Sequence, residues 1–345
     1  MSVKFNITPV KGNELLGWDA GNLQKEYYTL QQTVNWAQFL SRYYDAKPYF
    51  IYVKDASSKI VAALFFYKIG RYPEIYHKKP CVNFIKSAVN YFDKCLSWTD
   101  GPIFFSDNDR EDIVLEILGF IENIAIKERI KTVHDVTFPV MLNDRSSLEE
   151  VFFKKGYTKK TWATYILNLR NNEKNIWGSF KGKIARTPVR KAKSMKVQFK
   201  ECNKDDIPVY FLCELEHGRL KRLAVQPKMR FDILWETLSP IGGYKIFAAM
   251  HKGRPIAFMP LRCFNKTVHI VKPVQSNTAF DNKIPAGDFL IWECIKWAKE
   301  HGFWYFDFSG VSPSPKTKEE KGIRFFKKKW GGDYYEYGVF SKRLR

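Results

Sequence analysis

Apolar and polar positions along the chain alternate in a pattern that occurs twice. Residues 49–68 (YFIYVKDASSKIVAALFFYK) and 244–263 (YKIFAAMHKGRPIAFMPLRC) each hold an apolar run, a polar turn and a second apolar run. The turns begin at Asp55 and His251 and use residue types that tight turns accept, so each stretch predicts a β-hairpin with a largely buried second strand. In the first copy Ile113, Val114, Ile117, Leu118, Ile121 and Ile124 share one helical face, which predicts a helix over 111–127 and a strand over 129–138. In the second, residues 288–302 form a helix stopped by Gly302, and FWYFDF at 303–308 forms a strand. Hairpin, helix and strand thus recur in the same order. Two matches in register predict a tandem α/β (α+β) protein with mixed sheets.

The expected domains are 1–165 and 166–345, joined near 160–180. A strand-like TWATYILNL (161–169) leads into a short helix for which Thr187 is the N-cap and Pro188 the first helical position. No long heptad pattern is present, so no coiled-coil arm is expected.

Size and composition agree with this reading. The chain has 345 residues, 45% of them apolar and 16% aromatic, enough for two globular cores and too much for disorder. Charge adds something new. Fifty-seven Lys and Arg against 36 Asp and Glu leave +21, which implies an anionic partner: nucleic acid, a phosphorylated metabolite or an anionic membrane surface. The cations concentrate in 181–200, where eight stand without one acid. The six cysteines lack C-x-x-C spacing and read as reduced, mostly buried thiols, while the six histidines show no zinc-type spacing; no metal is expected. The N-terminal MSVKFNITPVKG lacks the layout of a signal peptide, and apolar runs such as 60–67 are too short to span a bilayer. A cytoplasmic protein is expected, with peripheral contact at the inner face of the membrane as an option.

Three segments then carry a resemblance: W-x-x-F-K-x-K-x-x-R-x-x-x-R-K-A from Trp177 to Ala192, the helix–strand FLIWECIKWAKEHGFWYFDFSG, and G-I-x-x-F-K-x-x-W-G from Gly322 to Gly331. Together with Q-T-x-x-W-A from Gln32 to Ala37 and DGPI at 100–103, this ordered set resembles the Fem-type (FemABX) peptidoglycan-bridge aminoacyltransferases. The resemblance implies two tandem GNAT-like acyltransferase domains. It also implies transfer of an aminoacyl group from charged tRNA to an amine of a phosphorylated or lipid-linked cell-wall precursor, with no cofactor. Two departures concern the acceptor. Gln38, Phe39 and Leu40 follow Trp36 where some members carry a lysine, and VHIVKP places His269 where relatives often show tyrosine.

Such a transfer passes through a tetrahedral oxyanion, so the site must hold amine and ester together and supply positive potential. The resemblance gives that role to Lys327, the lysine of the terminal F-K motif, bracketed by Phe326 and Trp330; a solvated cationic face is the competing reading. Lys328 and Lys329 are assigned generic anion attraction. Asp307 stands at a strand end before Ser309 and Gly310, on the face shared by Phe303 and Tyr305. It could orient the amine or accept its proton, or else cap the following turn or pair with Arg324.

Arg324, Arg222, His269, Trp36 and Gln32 complete the substrate-binding candidates, although Trp36 and Gln32 also suit core and helix-start positions. Arg186, Arg190, Lys191 and Lys193 are the candidates for gripping tRNA phosphates, with the two arginines best suited to fixed contacts.

The same fold can serve acyl-CoA as donor. That alternative needs a glycine-rich pyrophosphate loop before a helix N-terminus, and the segment ahead of residue 288 reads DNKIPAG instead. A third reading, a nucleic-acid or membrane-surface binder without catalysis, accounts for the charge but not for the duplicated fold.

Overall fold

The computed structural model describes residues 5–23, 25, 27–71, 80–142 and 145–344. The first four residues of the stretch read above for a signal peptide lie outside this set. In chain order the strands are β1 (Phe5–Pro9), β2 (Lys47–Asp55), β3 (Ile60–Gly70), β4 (Lys94–Ser97), β5 (Ile103–Phe104), β6 (Thr132–Thr137) and β7 (Thr158–Asn168). There follow β8 (Gln198–Glu201), β9 (Tyr244–His251), β10 (Arg254–Phe264), β11 (Thr267–Ile270), β12 (Val274–Gln275), β13 (Tyr305–Asp307) and β14 (Asp333–Arg343). The helices that matter below are α1 (Val34–Tyr44), α2 (Arg110–Lys127), α3 (Glu173–Ser179), α4 (Thr187–Ser194), α5 (Ile207–Lys221), α6 (Ala286–Glu300) and α7 (Lys318–Lys328).

The chain divides into two compact units, one of residues 1–161 with 337–345 and the other of 162–336. In the first, β1, β2, β3 and β4 pair antiparallel in that order, β4 pairs parallel with β6, and β6 pairs antiparallel with β14. In the second, β8, β9, β10 and β11 pair antiparallel, β11 pairs parallel with β13, and β13 pairs antiparallel with β7. The two sheets have the same order and the same single parallel junction. They differ in the source of the sixth strand. The first unit takes it from the end of the chain, and the second takes it from the segment that follows β6.

That exchange corrects the contiguous boundaries 1–165 and 166–345. Tyr337–Arg345 belongs to the first unit, because Val339 and Phe340 register with Thr137 and Val136 of β6. Trp162 to Tyr165 belongs to the second.

The repeated hairpins are β2–β3 and β9–β10, and the helix–strand pairs are α2–β6 and α6–β13. In β3 the residues from Val61 to Tyr67 are all buried, which is why its sequence runs apolar without alternation. Ala62, Leu64 and Phe66 share a core with Ile113, Ile117 and Ile121 of α2. In the second unit Phe247, Ala257, Met259 and Leu261 pack with Leu290, Ile291, Cys294 and Ile295 of α6. Side-chain periodicity and burial thus coincide in both units.

The short basic helix starts one residue differently from its expected cap. Residues Gly182–Arg186 form one π-type turn that runs directly into α4, so Arg186 takes the N-cap and Thr187 is the first helical residue. The wider turn is held at its start by the Lys181 N–H, which donates to the Lys329 carbonyl at 2.9 Å. Five of the six cysteines are buried, Cys81 is exposed, and all are free thiols.

Candidate active site

Lys327 stands on α7, and α7 is fixed at its start by a reciprocal cap. Glu320 N–H donates to Thr317 Oγ1 at 3.1 Å, and Thr317 N–H donates to Glu320 Oε2 at 3.0 Å. Arg324 and Lys327, three residues apart, therefore project from one side of the helix. Both reach the loop after β13: Arg324 Nη1 donates to the Pro313 carbonyl at 2.7 Å, and Lys327 Nζ donates to the Ser309 and Gly310 carbonyls, each at 2.9 Å. Burial pushes the Lys327 pKa down to about 8, against the opposing pull of Asp307. This lysine is held in one place, unlike a solvated surface cation.

The aromatics pin the segment to the core, which corrects Trp330 as a substrate contact, and the cation they hold is Lys329, 4.8 Å over the Phe326 ring and 5.1 Å over Trp330, rather than Lys327. Trp330 is fully buried and meets Phe180 edge-on at 5.2 Å, and Phe326 packs on the same core. Phe325, in contrast, faces solvent.

The assignment of Lys329 to generic anion attraction is corrected. Its side chain is buried and paired with Asp288 in the first turn of α6, while Lys328 is exposed. Helical geometry separates these neighbours, because each step along α7 turns the side chain by roughly 100°.

Asp307 closes the parallel ladder of the second unit, opposite His269 in register. Its carboxylate is buried and fully engaged: Oδ1 accepts from the Thr164 hydroxyl and from the Ser309 N–H (2.6 Å), and Oδ2 lies 3.3 Å from His269 Nδ1. Burial alone would raise its pKa, yet the hydrogen bond and charge of His269, with those from Thr164 and Ser309, hold it below the usual carboxylate value. Both oxygens are taken, which corrects the expectation that Asp307 itself meets the amine. The pairing with Arg324 is also absent, since Arg324 is bound at Pro313 and lies over the Tyr334 ring at 5.3 Å. The turn-capping reading holds in part, through the Ser309 N–H.

Ser309 has φ 62°, a left-handed backbone that serine adopts at a cost of ~1 kcal/mol or more. Its Oγ donates to the Ile270 carbonyl at 2.7 Å, its N–H to Asp307, and its carbonyl accepts from Lys327. The strained turn thus links β11, β13 and α7. Thr164, and the Ser309 and Gly310 carbonyls as the acceptors for Lys327, are what sequence reading missed. Thr164 carried no local signal, since it looks like any strand threonine.

Other candidates lie elsewhere. Gln32 is fully buried in the first unit, with its amide bonded to the Asp100 carbonyl and the Thr29 N–H, which corrects its reading as a ligand. Trp36 begins α1, its N–H on Thr33 Oγ1 at 3.1 Å and its ring 5.2 Å from Phe39. Arg222 is exposed at the C-terminal end of α5 with φ 52°.

Among the basic residues, Arg186 is half-buried against Gly182, where an added Cβ would come within 3.0 Å of its guanidinium. Lys191 donates to the Lys283 carbonyl at 3.1 Å, and Lys193 pairs with Glu293 at 3.1 Å. Arg190 stacks over Trp177 at 5.8 Å beside an open cleft of about 270 Å³ that Trp177, Trp292 and Lys193 also line. Of the four, Arg190 is the cation best presented to an external phosphate.

Residues 189–325 match the family model of the acetyltransferase (GNAT) domain. The crystal structure of FemX is similar over 96% of this chain and 96% of its own, at 14% identity and a TM-score of 0.74. The fold is that of a Fem-type tandem GNAT. A tandem GNAT protein from the clavulanic acid biosynthesis pathway is similar over 99% of this chain and 98% of its own, at 10% identity and a TM-score of 0.58. The C-terminal domain of a putative lysylphosphatidylglycerol synthetase from Agrobacterium fabrum covers 94% of this chain and 92% of its own, at 13% identity and a TM-score of 0.52. No curated protein matches the sequence. With the GNAT domain in place, the class of chemistry is acyl transfer, and this tandem GNAT protein is an acyltransferase.

Among the described residues of the acyltransferase, no helix is long and apolar enough to cross a membrane.

Proposed function

We propose that the protein is an aminoacyltransferase that moves an aminoacyl group from its tRNA ester to an amine of a cell-envelope acceptor, such as a cell-wall peptide precursor. The observation that carries this reading is Lys327, a partly buried cation fixed by two carbonyls beside the ionised Asp307. Nucleophilic attack on an ester places negative charge on one oxygen. An ammonium held in position before the reaction stabilises that charge without reorganising, an effect worth ~10²–10³ in rate per donor. Lys327 directs two of its protons to the carbonyls of residues 309 and 310, which leaves the third for the developing oxyanion.

No covalent nucleophile is needed, and burial pushes Cys202, Cys213 and Cys263 up to about 12, far from a reactive thiolate. The likeness to FemX over nearly the whole chain supports an aminoacyl donor. The likeness to a putative lysylphosphatidylglycerol synthetase supports a cell-envelope acceptor, with the phosphorylated or lipid-linked precursors as first choices and peripheral contact with an anionic membrane to reach them. The basic 181–200 segment, led by Arg190, supplies attraction for the tRNA phosphates.

The acyl-CoA reading meets an obstacle at α6. A GNAT cofactor places its pyrophosphate at a helix N-terminus, yet the first turn of α6 carries the half-buried carboxylate of Asp288. The carboxylate, with Lys329 as its partner, already takes the place at the positive end of the helix that a pyrophosphate would need.

The test is a transfer assay with the purified chain, total aminoacyl-tRNA or acetyl-CoA as donor, and a panel of muropeptides and lipid-linked amines as acceptors. Amide product from tRNA alone is expected. Product from acetyl-CoA alone would replace the reading with the CoA one, and salt-sensitive RNA binding without product would leave a binding protein.

A further inference from the structure

Asp307 is sealed away from any substrate, and that raises the question of which group takes the proton released when an amine becomes an amide. His269 is the neighbour with a free side. Its Nδ1 faces Asp307 Oδ2 at 3.3 Å, its side chain keeps 21% of its surface exposed, and among the described residues no protein group bonds its Nε2. We propose that His269 is the general base of the transfer, held by Asp307 in the tautomer that leaves Nε2 unprotonated. The inference rests on the aminoacyl-transfer reading and deepens it by naming the residue that handles the proton.

The geometry favours this tautomer. The Thr164 hydroxyl and the Ser309 N–H donate to Asp307 and favour its carboxylate, an acceptor 3.3 Å from Nδ1, so in the neutral ring Nδ1 carries the hydrogen and Nε2 keeps its lone pair. The carboxylate cannot rotate away, because Thr164 and the Ser309 N–H fix its other oxygen. The backbone contributes as well. His269 and Asp307 are register partners on adjacent parallel strands, so the ring and the carboxylate meet without help from a mobile loop. The charged residues in register with His269 are Asp307 on β13 and Arg262 on β10, and Lys327 on α7 reaches the Ser309 carbonyl two residues beyond Asp307.

His217, which is buried in the same unit, offers no comparable arrangement. His217 Nδ1 accepts from the Gln275 N–H at 3.3 Å, and burial together with Lys272 lowers its pKa.

In the transfer step the lone pair of the neutral acceptor amine attacks the carbonyl carbon of the ester. The C–N bond forms, and the carbonyl electron pair moves onto oxygen, where the Lys327 ammonium faces it. His269 Nε2 takes one proton from the amine nitrogen. As the oxyanion collapses the ester C–O bond breaks, and the imidazolium returns the proton to the departing hydroxyl oxygen. Amine and ester become amide and alcohol, with no other reactant.

The experiment uses the full chain and reads both rate and tautomer. His269→Gln is expected to lower kcat by ~10²–10⁴ with little change in KM, and to abolish the fall of kcat on the acid side of the pH profile. His269→Ala is expected to regain rate when imidazole is added. In ¹⁵N spectra of labelled histidine, the His269 ring should carry its proton on Nδ1, and Asp307→Asn should remove that preference. Circular dichroism melting of the His269 variants checks that they fold.

An unchanged kcat and acid limb in His269→Gln would overturn the proposal, as would a proton on Nε2 in the native protein. Absence of transfer from every donor by the native chain would instead remove the aminoacyltransferase reading, and the general base with it. The spectra would still report on the His269–Asp307 pair, so the two failures can be told apart.

Discussion

The buried Lys329 and the half-buried Asp288 form an ion pair that ties the end of α7 to the first turn of α6. Burial raises the Asp288 pKa and Lys329 opposes it, so the carboxylate depends on its partner to stay charged. Removing one member of such a pair strands the other in a poorly solvated place. Lys329→Ala is therefore expected to destabilise the protein by ~3–5 kcal/mol. The exposed Lys328→Ala should change stability by less than ~0.5 kcal/mol. Urea unfolding of the two variants decides this. Equal midpoints would mean that the pair contributes nothing.

Lys327 has a catalytic prediction of its own. Lys327→Ala should lower kcat by at least ~10²-fold, while Lys328→Ala leaves it within a factor of about two. Because the ammonium is the active form and its pKa is about 8, the native rate should fall as pH rises through that value. Lys327→Arg, which stays charged, should lose this basic limb even if its rate is low. A basic limb that persists unchanged in Lys327→Arg would assign it to another group.

The same lysine predicts an unusual stability effect. Its folded pKa of about 8 lies below the ordinary 10.5, so between those values the unfolded chain binds more protons than the folded one. Stability then rises with pH across that window, and at neutral pH the buried ammonium is destabilising. Lys327→Met should melt at a higher temperature than the native protein at pH 7, with the gap closing toward pH 10.5. A less stable variant at pH 7 would show that the two carbonyl hydrogen bonds outweigh burial.

Binding of RNA should distinguish among the basic residues. For single strands, each phosphate that a protein cation neutralises adds ~0.7 to the slope of log affinity against log salt. Arg190→Glu is expected to flatten the slope by about that much. Lys193→Ala should do less, because Glu293 already offsets its charge at 3.1 Å. A slope unaffected by Arg190→Glu would exclude this face as the RNA-binding surface.

Much of the fold could be read from local patterns, and the reasons are physical. The hairpins β2–β3 and β9–β10 close over short turns, and α2 and α6 bury stripes at helical spacing, so neighbouring residues carry the whole signal. The Lys327 segment stood out because its motif and aromatics are contiguous, although the rings hold Lys329 and the 309–310 carbonyls hold Lys327. What escaped depends on residues distant in sequence. Thr164 meets Asp307 across 143 residues, and the register that seats His269 opposite Asp307 exists only once β11 and β13 pair. Within the run Lys327-Lys328-Lys329, identical residues reach a site, solvent and a half-buried carboxylate in turn. Only the rotational phase of α7 decides among those fates, and the Thr317 cap that sets the phase stands ten residues upstream of Lys327.

The exchange of β7 and β14 between the two units also bears on how the chain is made. On the ribosome, residues 162–168 are already waiting when β13 emerges, so the C-terminal unit completes its sheet as soon as its own strands are synthesised. The N-terminal unit has no such supply. Its sixth strand follows all of the second unit's strands in the chain, so β6 stays open-edged until that unit has been made, and a nascent chain stalled before residue 337 would leave β6 without its outer neighbour.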